Sequence, residues 1–108
     1  MDYQSTRGGE RGVSPSLAIV KGLAADGGLF VPDSIPKLSK SLRELSELSY
    51  QDLAYEMMKL YLTDFTEEEL RFCIRSAYDD KFDCPEIAPV VKDGKFFYLE
   101  LFHGKTLA

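Results

Sequence analysis

Tryptophan is absent, histidine occurs once, at position 103, and cysteine twice, at positions 73 and 84. Cys73 and Cys84 stand too far apart for a C-x-x-C pair, and with one distant histidine they match no zinc spacing. Both are expected to be reduced and structural, Cys73 on the apolar face of a helix. No run of about 18 apolar residues occurs, so nothing reads as a membrane span. Met1-Asp2-Tyr3-Gln4 has neither the basic nor the apolar region of a secretory signal, which leaves the cytoplasm as the expected compartment. Basic residues are in deficit, 13 against 18 acidic, for a net charge of −5. A nucleic-acid binder needs a basic face that this balance does not supply. There is no repeat and no low-complexity tract.

What is there fits one ordinary globular domain over residues 1–108, with 44% hydrophobic and 29% charged residues. Tyr3 to Arg7 reads as a short strand, broken by Gly8-Gly9 and Gly12. Ser14-Pro15 reads as an N-cap with proline at the first helical position, opening a short helix that ends near Gly22 to Ala25. Asp26-Gly27-Gly28 is a tight turn, and Leu29-Phe30-Val31 an apolar run closed by Pro32. Ser39 is read as the cap of a short helix carrying Leu42, Leu45 and Leu48. Ser49 with Asp52, and Thr66 with Glu69, are capping-box patterns. Each precedes apolar residues at helical spacing, which predicts a helical hairpin turning at Thr63-Asp64-Phe65. Ile87 to Val91 and Phe96 to Leu101, joined by Lys92-Asp93-Gly94-Lys95 with Asp93-Gly94 at the turn, predict a β-hairpin. The last strand is expected to be buried and stiff. The fold class is α+β.

Two polar clusters are candidates for chemistry. The first is Phe102-His103-Gly104-Lys105-Thr106, where a strand feeds a glycine-containing loop, as α/β enzymes present functional groups. It is not a P-loop, because Leu99 stands where the first glycine would have to be. Lys105 and Thr106 can offer donors to an anion. His103 suits a loop donor, with Glu100 the one acid close to it in sequence. The second cluster is Ser5-Thr6-Arg7, two hydroxyls and a guanidinium that suit a phosphate or carboxylate. The plain alternatives are a surface loop and a strand with a flexible turn. Asp79, Asp80, Asp83 and Glu86 lack calcium-loop spacing and read as a solvated connection. No metal site is expected.

Several segments together resemble one family, threonine synthase. They are Tyr3-Gln4-Ser5-Thr6-Arg7-Gly8, Val13-Ser14 with Ala18-Ile19 and Lys21-Gly22-Leu23-Ala24, and Asp26 to Pro32. Leu48 to Ala54 and Leu99-Glu100-Leu101-Phe102-His103-Gly104-Lys105-Thr106-Leu107-Ala108 complete the set. The resemblance covers essentially the whole chain. It departs from the pattern at Lys105, where proline is common. It implies the N-terminal domain of a fold type II pyridoxal-phosphate enzyme that converts O-phospho-L-homoserine and water to L-threonine and phosphate. It also implies that the Schiff-base lysine lies just beyond Ala108, so no catalytic residue falls in this chain and Lys105 is not that lysine. His103, Lys105 and Thr106 are then active-site-proximal, and Ser5, Thr6 and Arg7 are candidate anion contacts. The chain alone is expected to be inactive, to hold no pyridoxal phosphate and to have its own catalytic domain as partner. A threonine-synthase-like protein acting on another phosphorylated amino compound, or serving as a scaffold, is the alternative.

Overall fold

A computed structural model describes residues 1–104. Lys105 and Thr106 lie outside the described residues. The fold is mixed α+β, as the sequence predicts, with two separate two-stranded antiparallel sheets and four helices among the described residues.

The first lobe is built on β1 (Tyr3–Ser5), α1 (Pro15–Lys21) and β2 (Phe30–Pro32). β1 pairs with β2 in the register Tyr3↔Pro32, Gln4↔Val31, Ser5↔Phe30. β1 stops at Ser5 rather than Arg7 because the chain turns there: Gly8 N–H donates to the Ser5 carbonyl (2.9 Å) and Ser5 N–H to that of Glu10 (2.8 Å). Tyr3 and Val13 then exchange a bridge, which the glycine-broken sequence does not announce. α1 starts as expected, with the Ser14 hydroxyl accepting from Leu17 N–H and Pro15 in the first turn. Val13, Pro15, Ala18 and Ala24 are buried in this lobe.

The helical part comprises α2 (Leu42–Ser46), α3 (Tyr50–Tyr61) and α4 (Glu67–Ala77). α2 is capped by Ser41, not Ser39. Glu44 stands three residues after Ser41 and returns a bond to its backbone N–H (2.8 Å), whereas Leu42 holds that position after Ser39 and has nothing to return. Ser49 and Thr66 cap α3 and α4 as predicted. The two helices form an antiparallel hairpin around Leu70 and Ile74 of α4, which are 3% and 2% exposed. Cys73 is exposed, against expectation. At about 100° per residue the line through Leu70 and Ile74 leaves position 73 roughly 80° to one side, at the edge of the stripe. Both thiols are free.

The turn between α3 and α4 is tied to the first lobe. Ser16 donates to Asp64 from its backbone N–H (3.1 Å) and its hydroxyl (2.6 Å), which puts a carboxylate at the N-terminus of α1. The Tyr3 hydroxyl reaches the Tyr61 carbonyl (3.4 Å).

The predicted hairpin is present as β3 (Val90–Asp93) and β4 (Phe96–Leu99), but shorter. Pro89 has no N–H to add to the ladder, and its carbonyl accepts the final bond, from Glu100 N–H (3.0 Å). The central turn residues are Gly94 and Lys95, and Gly94 takes φ 59°, as the first position of a II′ turn demands. The last strand is not buried. Phe96, Phe97, Tyr98 and Leu99 are all more than half exposed, and the sheet has no covering layer among the described residues.

Candidate functional site

Nine turn-forming residues, Asp79 to Ile87, bring the acidic connection back against the end of β4. Ile87 ends this path at φ 66°, a strained conformation for a β-branched side chain, and is buried there at 8% exposure. The result is a contact between residues twenty positions apart. His103 Nδ1 lies 2.6 Å from Asp83 Oδ1, and His103 Nε2 lies 2.8 Å from Glu100 Oε2. The backbone repeats the pairing, with Asp83 N–H donating to the His103 carbonyl (3.2 Å). Glu100 first, and Asp83 second, hold the imidazole pKa above its ordinary 6.5, while partial desolvation works the other way.

The neighbouring residues complete the arrangement. The Phe102 ring lies 4.6 Å from the imidazole. Gly104 passes over Phe82 so closely that a Cβ there would lie 2.9 Å from the ring. An open pocket of about 530 Å³ adjoins, walled by Tyr50, Tyr78 and Phe82 and rimmed by Asp79, Asp80 and Asp83. Its charged groups are all carboxylates, which suits neither a phosphate nor another anion. At its floor the Cys84 thiol donates to Glu86 (2.9 Å), and that bond, together with burial, raises the thiol pKa.

Of the residues singled out in the sequence, the structure places His103 in this cluster and adds Asp83 to it. Proximity in sequence indicates Glu100 but gives no sign of Asp83, which looks like one of four acids in a connection. The Ser5-Thr6-Arg7 cluster lies elsewhere, and its polar groups are bonded within the first lobe. Ser5 is 4% exposed, and its hydroxyl donates to Asp26 Oδ1 (2.6 Å) while accepting from Arg7 N–H (3.1 Å). The Thr6 hydroxyl accepts from Leu29 N–H (3.1 Å). Arg7 is exposed and donates from one guanidinium nitrogen to the Asp26 carbonyl (3.0 Å). Asp26 is the centre of this knot, since Gly28 N–H (2.9 Å) and Gly9 N–H (2.8 Å) also donate to its carboxylate.

Every lysine among the described residues is at least partly exposed. Lys21 pairs with Glu10, both Lys40 and Lys59 with Glu56 at 2.8 Å, and Lys81 with Asp79 at 2.6 Å. None faces a closed cavity of the kind that lowers an amine's pKa for covalent chemistry. No group of three or more metal-binding side chains occurs among the described residues.

Residues 2–78 match the family described as threonine synthase N terminus. Threonine synthase of Schizosaccharomyces pombe is 40% identical over 113 residues, covering 100% of this chain and 22% of that protein. Human threonine synthase-like 1 is 41% identical over 96 residues, covering 84% of this chain and 13% of that protein. The crystal structure of PLP-bound threonine synthase from Brucella melitensis superposes with a TM-score of 0.83 at 33% identity, over 100% of this chain and 24% of that one. The chain thus spans about a quarter or less of the length of these relatives.

Proposed function

Because the chain belongs to the threonine synthase family, as its N-terminal region, we propose that it serves an enzyme converting O-phospho-L-homoserine and water to L-threonine and phosphate. The observation that carries this reading is the end-to-end likeness to a PLP-bound threonine synthase, at a TM-score of 0.83. Pyridoxal phosphate supplies an electron sink for carbanion chemistry when bound. The described residues do not make a site for it, since no lysine among them is buried and the pocket beside His103 is rimmed with carboxylates. The covalent step is assigned in this reading to residues other than the described ones, and residues 1–108 alone are inactive in it.

The role left to these residues is positional. The first lobe, the helical hairpin and the β3–β4 sheet form a scaffold that leads through Glu100 to His103, and in this reading His103, Lys105 and Thr106 are proximal to the active site, with Lys105 and Thr106 contacting the substrate and cofactor phosphates. Of the second cluster, Thr6 and Arg7 are exposed and Ser5 is buried, so Arg7 is the charged member that can reach an anion. The catalytic domain is the proposed partner of the uncovered β3–β4 sheet, whose Phe96, Phe97, Tyr98 and Leu99 are exposed. The compartment in this reading is the cytoplasm.

The alternative is a threonine-synthase-like protein with another phosphorylated amino substrate, favoured by the 41% identity to human threonine synthase-like 1. The experiment uses the full-length protein supplied with pyridoxal phosphate. Release of phosphate and threonine together from O-phospho-L-homoserine supports the synthase. Turnover of a different phosphorylated amino compound, with none of this one, supports the alternative. Saturable cofactor binding by residues 1–108 alone overturns the division of labour.

A further inference from the structure

His103 sits between two carboxylates, and this limits what it can do. A carboxylate oxygen only accepts, whereas a neutral imidazole has one nitrogen that donates and one that accepts. Contacts of 2.6 Å and 2.8 Å, one on each ring nitrogen, are both hydrogen bonds only when both nitrogens carry protons. A neutral ring would set one lone pair against a carboxylate at that distance. The ring itself is largely shielded, at 14% exposure of its side chain, and the Glu100 side chain is 26% exposed, whereas the Asp83 side chain reaches it from the solvent side at 71%.

We propose that Asp83 and Glu100 hold His103 as a doubly bonded imidazolium, and that this trio is a proton-keyed latch fixing the course of the chain beyond β4, not a proton-transfer site. Asp83 is the positioning residue of the latch and Glu100 its second jaw. Two further contacts act across the same seam: Asp83 N–H to the His103 carbonyl, and Gly104 over the Phe82 ring. Among the described residues, the charged groups facing the imidazole are Asp83 and Glu86 from the turn segment and Glu100 from the end of β4. All are acids, so every one of them favours the protonated ring.

The sign of the pH dependence follows. A histidine held above its ordinary 6.5 contributes stability that is fully present below 6.5 and is lost as pH rises through the higher folded value. Loss of the proton opens the latch and loosens the hold of the Asp83 turn on His103 and Gly104. A residue that already carries its proton and has both nitrogens engaged is not a general base. The latch depends on the geometry of this chain and not on which phosphorylated compound the whole protein uses.

His103 is the only histidine, so its imidazole gives one well-separated proton resonance that can be titrated directly in this chain. The wild-type midpoint is expected above 6.5, with both ring nitrogens protonated near neutrality by nitrogen shift. Asp83→Asn and Glu100→Gln should each move the midpoint down, the double variant furthest, and Asp83→Glu should restore part of the Asp83→Asn loss. The protection factor of the Asp83 amide should fall in step with the wild-type titration. A wild-type midpoint at or below 6.5 overturns the latch. So does a midpoint that neither substitution moves. If a variant fails to fold, the wild-type midpoint and nitrogen protonation still decide the question.

Discussion

Gly28 is the residue on which the first lobe closes. A Cβ there would stand 2.1 Å from the Ser5 hydroxyl and 3.1 Å from the backbone nitrogen of Arg7. Neither neighbour can yield, because Ser5 is bonded to Asp26 and the Arg7 nitrogen to Ser5. Gly28→Ala is expected to cost about 1–3 kcal/mol, as overpacking of a filled site does, read as a lower midpoint in chemical denaturation. The carboxylate beside it has its own pH signature. The Ser5 hydroxyl first, then the Gly28 amide, hold the Asp26 pKa below its ordinary 3.8. A depressed acid contributes stability present above 3.8 and lost as pH falls through the folded value. Thermal melts of wild type and Asp26→Asn should therefore differ at neutral pH and converge in strong acid. A constant gap at all pH values would mean that the charge of Asp26 is not what matters. At the far end of the chain, Lys105→Ala and Thr106→Val, made separately in the full-length protein, test the proposed phosphate contacts. Each charge-assisted bond is worth roughly 1.5–3 kcal/mol, so kcat/KM should fall about ten- to a hundredfold with little change in Tm. Normal turnover in both variants would reduce the loop to packing.

Each element rests on a different balance of local signal and packing. α4 has both, with a complete capping box at Thr66 and Glu69 and two buried apolar residues one turn apart. Ile74→Ala should cost about 2–5 kcal/mol through the cavity it leaves. Thr66→Ala should cost about 1 kcal/mol through the lost cap. Cys73→Ser, on the exposed edge of the same helix, should change stability by less than about 0.5 kcal/mol. Denaturant midpoints of the three variants should fall in that order, and a Cys73→Ser loss matching that of Ile74→Ala would place the thiol in the core after all. The charged exterior of the helical hairpin is ordered by Arg71, which bonds Glu67 (2.7 Å) and Asp52 (3.3 Å) and stacks 4.1 Å from the centre of Tyr55. Such exposed pairs contribute little each, and they fix the facing of α3 and α4 more than their strength. β3 and β4 have a correct turn and full pairing but bury neither face.

At the scale of the whole molecule the chain is drawn out. Its radius of gyration is 16.3 Å, against about 13 Å for a compact chain of this length. Among the described residues none is less than 2% exposed, and Phe96, Phe97, Tyr98 and Leu99 of β4 are all more than half exposed. Stability is accordingly uneven. Amide exchange is expected to be slowest around Leu70 to Ile74 of α4 and much faster along Val90–Asp93 and Phe96–Leu99, whose bonds are open to water on both faces. Equal protection in both would mean that the hairpin is covered in solution, by a second copy at high concentration or by the chain itself at any concentration. Dilution separates the two.

The sequence alone determined what depends on neighbours along the chain. Proline after Ser14, glutamate three residues after Thr66, and Asp93-Gly94 between apolar runs each act within a turn or two, so α1, α4 and the β-hairpin were readable to within a few residues. The ordered motifs from Tyr3 to His103 also carried the family, because their order and spacing survive without any knowledge of how they pack. What the tertiary structure decided are contacts between distant positions. The Tyr3–Val13 bridge, the burial of Ser5 against Asp26 and the exposure of the last strand depend on which surfaces meet, and local preference does not specify that. The pairing of Asp83 with His103 is the clearest case. Nothing in Asp79 to Glu86 marks one acid above the others, and only the path of the turns between Tyr78 and Ile87 brings Asp83, and not Asp80, within 2.6 Å of the imidazole.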